Sequence, residues 1–163
     1  MEEGKYQAAV VTVSDSVAAG RREDKSGPKA AAMLEAVGIK VLEEQVVDDD
    51  YHHIKEILIE LCDRGDIDLV ITSGGTGFSP LDVTPEATAK VIDRQAHNLA
   101  EFIRYECYKQ SPKAALSRGI AGISGSTLVV NLPGSPAAVE ESLTALFKIL
   151  DHALLIMKGG QPH

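Results

Sequence analysis

The 163-residue sequence predicts an α/β fold of three layers (α/β/α), a mostly parallel sheet with helices on both faces, and three observations carry that prediction. Short apolar, β-branched runs recur at 8–14, 39–47, 68–75 and 126–134; helical segments stand between them; and each run ends in a polar loop, VSDS, VVDDD, TSGGTG or NLPGSP. Strands separated by helices are joined by crossovers, which sets the strands parallel and covers both faces of the sheet.

The first run, AAVVTVS, suits a strand buried on both sides. SDSVAAGRREDKSG reads as a loop, and Pro28 opens a helix, PKAAAMLEAVG, because its missing N–H would be unpaired there anyway. Gly38 supplies the left-handed stop. IKVLEEQVV is the second strand. DDDYHHIKEILIELCDRG follows as an amphipathic helix, with Ile54, Ile57, Leu58 and Leu61 on one stripe and Gly65 at its end. DLVITSGG is the third strand. TPEATAKVID and HNLAEFIRYECYKQ are helical in composition, GIAGISGS reads as a short hairpin or connector, and STLVVNLPG is the fourth strand. SPAAVEESLTALFKILDHALLIMKGG then reads as one long helix, with Pro136 first and Gly159 as its stop. Length and a 44% hydrophobic content fit one domain over 1–163 with a substantial core.

A net charge of −8 offers little attraction to a polyphosphate backbone, which argues against a nucleic-acid partner. No apolar stretch approaches the roughly 18 residues of a membrane span, and MEEGKYQAAVV has no basic flank ahead of an apolar region, so a cytoplasmic protein is expected. Cys62 and Cys107 lack metal-ligand spacing and read as reduced thiols. His52 and His53 fall in the first turns of a helix and read as surface groups, while His97, His152 and His163 share no spacing with them.

In a parallel α/β sheet, ligands bind outside the carboxyl ends of the strands, where these polar loops gather. SGGTG at 73–77 can turn free backbone N–H groups toward an anion, with Ser73 and Thr76 adding hydroxyls. It matches neither the P-loop nor the dinucleotide fingerprint, which leaves a P-loop kinase or nicotinamide dehydrogenase unsupported. Downstream, Thr84 reads as an N-cap, Pro85 as a first helical residue and Glu86 as a complement to the helix dipole. Asp82, just ahead of them, is either a turn residue or a ligand. Carboxylates in VVDDD, residues 46–50, are expected stabilisers of a helix start at about 0.3 to 1 kcal/mol each. Asp49 and Asp82, at neighbouring strand ends, also form the kind of pair that holds Mg²⁺ while phosphates and water complete its shell.

TSGGTGFSPLDVTPEAT, with VTVSDS, DKSG, ALSRGIAG and NLPGSPAAVEESL in order, resembles the MogA/MoaB family of molybdenum-cofactor biosynthesis proteins, also found as the G domain of gephyrin. The resemblance spans nearly the whole chain. It implies an α/β/α homotrimer that uses ATP and Mg²⁺ to adenylylate molybdopterin, releasing pyrophosphate, with hand-over of the product to a molybdenum-inserting protein. Alternatives within the resemblance are a MoaB-like member and a non-catalytic pterin-binding protein. The family's two aspartates fall on Asp49 and Asp82 as catalytic and metal-holding residues, with Asp48 a competitor for the first role. Gly74, Gly75, Thr76 and Gly77 fall on the nucleotide-contacting loop, and Ser14, Asp15 and Ser16 on the first strand-end loop. Ser117 and Arg118 match a further segment, where Arg118 is expected to grip phosphate through paired hydrogen bonds. Asn131, Pro133, Gly134 and Ser135 close the remaining side.

Overall fold

The computed structural model describes residues 3–160, which leaves His163 outside it. Strands β1 (Tyr6–Val13), β2 (Ile39–Val47), β3 (Leu69–Ser73), β4 (Arg94–Gln95), β5 (Ala121–Ser124) and β6 (Thr127–Leu132) form one sheet in the order β2-β1-β3-β6-β5-β4. The pairs β1–β2, β1–β3 and β3–β6 are parallel; β5 and β4 extend the sheet antiparallel.

Side chains alternate across the strands, so one sequence feeds two cores. Val10, Ile71 and Val130 face one side and pack against Leu34, Ile103, Leu143 and Leu154. Their neighbours Val11, Val70 and Val129 face the other side and pack against Ile54, Leu58 and Leu61. The first layer contains α2 (Ser26–Ala36), α5 (His97–Tyr108), α6 (Pro136–Phe147) and α7 (Leu150–Met157); the second contains α3 (Tyr51–Asp63) and α4 (Thr84–Ala89). The three-layer architecture and mostly parallel sheet are as the sequence predicts.

Local differences have identifiable causes. Residues 15–18, expected in a loop, form a short helix, α1 (Asp15–Ala18), because the Ser14 hydroxyl accepts from the Val17 N–H. Pro28 sits in the third position of α2, whose opening N–H groups at Ser26 and Gly27 both donate to Asp24 Oδ1 at 3.0 Å. GIAGISGS is a hairpin, and its first arm is β5, a true strand of the sheet. β4 is two exposed residues held by backbone pairing, a pattern with no hydropathy signature. The long C-terminal helix breaks at Lys148 and Ile149, whose N–H groups donate back three residues to Ala145 and Leu146. That tightening keeps Leu146, Leu150 and Leu154 in one core. Cys62 and Cys107 are free, buried, and in opposite cores, and burial pushes the Cys62 thiol up to about 11. No helix among the described residues is long and apolar enough to cross a membrane.

Candidate active site

β1, β3 and β6 are adjacent and parallel, so their carboxyl ends bring the loops at 14–16, 73–77 and 131–135 side by side. The middle loop is the most constrained. Gly74 and Gly75 hold φ of +113° and +63°, and a methyl group at either would overlap the Val13 carbonyl oxygen or the Thr84 hydroxyl respectively. The loop is pinned from both flanks: Gly74 N–H donates to Leu132 O at 3.0 Å, and Thr84 Oγ donates to Gly74 O at 2.9 Å.

Several predicted contact residues are supports for this loop. Thr84 is not the N-cap; Val83 occupies that position, and Thr84 is fully buried beneath the glycines. Pro85 is buried beside it, and Glu86 lies in the first turn of α4 as expected. Ser73 is also fully buried, and its hydroxyl donates to Pro133 O at 3.2 Å instead of facing a ligand. Arg118, expected to grip phosphate, gives its guanidinium to the protein. Nε donates to Gly77 O at 2.7 Å, Nη2 to Asp82 O at 2.6 Å, and Nη1 pairs with Glu86. The carbonyls exposed by a tight glycine turn need donors, and a five-donor planar cation satisfies them. The side chain of Asn131 is similarly occupied: Nδ2 donates to Thr72 and Thr88 hydroxyls, both at 2.9 Å, and Oδ1 accepts from Ile120 N–H. Ser135 caps α6 through Ala138 N–H.

Two clefts flank the glycine loop and share Gly75, Gly134 and Ser135 in their walls. One, of about 560 Å³, runs from Thr76, Gly77 and Asp82 past Ser117 into the space between α5 and α6. The other, of about 630 Å³, lies between the glycine loop and Ser14, Arg22, Lys25 and Ser26. The amino end of α6, its positive dipole end, stands between them; Pro136 has no N–H and Ser135 takes those of Ala138 and Val139, which leaves the N–H of Ala137.

The carboxylates take distinct roles. Asp82 Oδ2 accepts from Ser79 N–H at 2.9 Å and closes the turn, while Oδ1 carries no hydrogen bond to any described residue. Asp82 is thus both turn residue and free ligand. In the 48–50 run, Asp50 caps α3 through His52 and His53 N–H, and Asp48 bonds the His53 ring at 2.8 Å. Asp49 alone faces the loops: its Oδ2 accepts from Asp15 N–H at 2.8 Å and its N–H donates to Asp15 Oδ1 at 2.9 Å. Burial raises the Asp49 pKa, against the lowering effect of the Asp15 N–H, and the charges of Asp15, Asp82 and Asp48 raise it further. Such a site favours a cation. Among the described residues, no group of three His, Cys, Asp or Glu side chains is arranged to hold a metal ion. Asp49 and Asp82 each keep one carboxylate oxygen free of hydrogen bonds to described residues, the donor chemistry a hard ion takes when water and phosphate oxygens complete its shell.

Sequence reasoning gave Asp24 and Arg104 no role of their own; Arg22, in the expected loop, lines the second cleft. Asp24 accepts from Thr12 Oγ at 2.6 Å as well as starting α2, and Arg104 donates to Ser117 O and Gly119 O. Asp24 had a signal, an acidic residue two positions ahead of Ser-Gly-Pro at a helix start; Arg104, in mid-helix, had none.

A family model described as "Probable molybdopterin binding domain" matches residues 9–152. The chain is 37% identical over 153 residues to a molybdopterin adenylyltransferase of Helicobacter pylori, covering 93% of this chain and 87% of that one. It is 38% identical over 146 residues to the molybdenum cofactor synthesis protein cinnamon of Drosophila melanogaster, covering 89% of this chain but spanning only 24% of that longer protein. Among solved structures, the molybdopterin biosynthesis enzyme MoaB of Thermus thermophilus superposes with a TM-score of 0.89 at 41% identity, over 96% of this chain and 98% of that one.

Proposed function

This chain belongs to the molybdopterin-binding family of molybdenum-cofactor biosynthesis proteins, and on that ground we propose that it is a molybdopterin adenylyltransferase. The observation that carries the reading is the meeting of two clefts on one glycine loop, with the free oxygen of Asp82 beside it. Two substrates, ATP and molybdopterin, each enter one cleft and bring their phosphates together over Gly74–Gly77 and the amino end of α6. A terminal phosphate oxygen of molybdopterin attacks the α-phosphorus of ATP. The bond from that phosphorus to the β-phosphate bridging oxygen breaks, pyrophosphate leaves with the electron pair, and a phosphoanhydride to AMP remains.

The protein's contribution is positioning and charge neutralisation, which dominate phosphoryl and nucleotidyl transfer. Backbone N–H groups of the glycine loop hold the phosphates; Thr76, whose hydroxyl makes no hydrogen bond to any described residue, lines the reacting side. Asp49 and Asp82 are the residues that would hold Mg²⁺, which when bound offsets the negative charge gathered on the transferring phosphates. Arg118, Thr84 and Asn131 act through the backbone they brace. The reading extends to a homotrimer in the cytoplasm that hands its product to a metal-inserting partner. Phe78 and Leu81, 69% and 62% exposed beside the site, support burial against another copy of the chain.

The test is production of adenylylated molybdopterin from purified protein, molybdopterin, ATP and Mg²⁺, beside an Asp82→Asn variant with an unchanged melting curve. The expected result is product from the wild type and a loss of about 10²- to 10³-fold in kcat in the variant. The 41% identity to a molybdopterin biosynthesis enzyme MoaB supports one competing reading, a MoaB-like member. Tight pterin binding without product would establish that one instead.

A further inference from the structure

We propose that Ser26 is a positioning residue: its hydroxyl fixes the Gly134–Ser135 peptide so that the Ser135 N–H faces the transferring phosphates. This rests on, and deepens, the adenylyltransferase reading. The role falls to DKSG, residues 24–27, a segment that touches neither the glycine turn nor Asp49 or Asp82 through its own hydrogen bonds.

The segment is anchored to the sheet where α2 begins. Asp24 Oδ2 accepts from Thr12 Oγ on β1 at 2.6 Å, and Asp24 Oδ1 accepts from the Ser26 and Gly27 N–H groups, both at 3.0 Å. Gly27 has no room for a side chain, because a Cβ there would stand 2.5 Å from both Asp24 Oδ2 and Thr12 Oγ. Ser26 is thereby held in the wall of the second cleft, only 6% exposed. Its hydroxyl donates to Gly134 O at 2.6 Å, across 108 positions of sequence.

A trans peptide is planar, so its C=O and N–H point in opposite directions. With Gly134 O tied to Ser26, the Ser135 N–H is aimed away from that serine. This N–H makes no hydrogen bond to any described residue, and Ser135 lines both clefts. Gly134 packs against the glycine loop, where a Cβ would come within 3.2 Å of Gly74 Cα. The peptide therefore sits where the phosphates meet. The preceding carbonyl is tied in the same manner, Ser73 Oγ donating to Pro133 O at 3.2 Å. Without the Ser26 hydroxyl, Gly134 O loses its donor, and the backbone freedom of a glycine lets the peptide turn over. A turned peptide presents a carbonyl oxygen to the phosphates, where the native one presents a donor to the charge that gathers as pyrophosphate leaves.

Two measurements test this on the full chain. In NMR spectra of protein labelled at serine nitrogen, pyrophosphate with Mg²⁺ is expected to shift the Ser135 amide resonance saturably in wild type and in Ser26→Thr, which keeps the hydroxyl, but not in Ser26→Ala. In turnover, a folded Ser26→Ala is expected to lose roughly tenfold to a hundredfold in kcat and to raise the inhibition constant of pyrophosphate by a similar factor, with KM for ATP unchanged. A merely structural defect lowers kcat through the active fraction and leaves that inhibition constant alone. A Ser135 resonance unmoved by pyrophosphate in wild type, a wild-type kcat and inhibition constant in Ser26→Ala, or equal losses in Ser26→Thr and Ser26→Ala overturns the proposal. The wild-type spectrum decides even if Ser26→Ala fails to fold. A shift abolished in Ser26→Ala, found in a protein that makes no adenylylated product, would support the positioning role while removing the transferase. Product formed with the Ser135 resonance unmoved would do the reverse.

Discussion

The loops that carry Asp82 and Asp49 have similar proposed tasks and opposite construction. The Asp82 loop is braced from beneath by buried Thr84 and from the side by Arg118, with glycines whose conformation no other residue adopts easily. Asp49 is held by two exposed reciprocal bonds with Asp15, another carboxylate. The first loop is braced by the protein itself, whereas the second holds a carboxylate disfavoured first by burial and then by its acidic neighbours, a cost that a cation would relieve. Preorganisation at one strand end and electrostatic tension at its neighbour are two ways of preparing for the same charge.

Four substitutions break or sharpen this contrast. The largest effect is expected from Gly74→Ala, which forces a side chain into the left-handed region and against the Val13 carbonyl. A loss of about 3 kcal/mol, read by urea unfolding, is expected together with loss of product. Next comes Arg118→Met, which keeps bulk but abandons Gly77 O and Asp82 O; since Arg118 is about one-third exposed, about 1 to 2 kcal/mol is expected, with kcat falling roughly tenfold. Unchanged kcat would show that the brace is dispensable.

Asp49→Asn should behave oppositely in stability. The folded pKa of Asp49 is raised, so its ionised form is disfavoured by folding; the penalty is present above the folded pKa and disappears below the unfolded value near 3.8. The variant is therefore expected to melt higher than wild type at pH 7, with the difference vanishing at acid pH, and to lose the further stabilisation that Mg²⁺ gives wild type. A lower melting temperature at pH 7 would rule out that cost. The smallest effect belongs to Asp48→Asn. The His53 pKa is raised above 6.5, first by its hydrogen bond to Asp48 and then by that carboxylate's charge. The contribution is full below 6.5 and lost as pH rises through the folded value. NMR titration should show His53 returning toward 6.5 with activity unchanged, which separates Asp48 from the working pair.

The alternation of buried runs and amphipathic helices was enough to read the parallel core, because burying strands on both faces requires continuous apolar runs such as LVITS and TLVVNL. The sequence likewise singled out Asp49, Asp82 and the glycine loop, since unusual backbone conformations and a carboxylate beside a helix start leave local marks. β4 escaped because backbone pairing of Arg94 and Gln95 needs no apolar side chain. The break at Lys148 and Ile149 escaped because it answers to packing in a shared core and has no glycine or proline to announce it.

By itself, then, the sequence determined the layers, the strand-end loops and which residues are chemically able to serve a phosphate site, all properties of neighbouring residues. Only the tertiary structure decided which of them face the clefts. Arg118, Thr84, Ser73 and Asn131 have the donors a phosphate wants, yet they satisfy backbone and side-chain groups that the fold itself buries or turns inward. Asp48, Asp49 and Asp50 are identical in kind and adjacent in sequence. They are told apart by the partners that folding brings to each: an imidazole, a second carboxylate loop and the open end of a helix. Hydrogen bonds across 34 or 41 positions follow from a closed three-dimensional arrangement and carry no local signature in the chain.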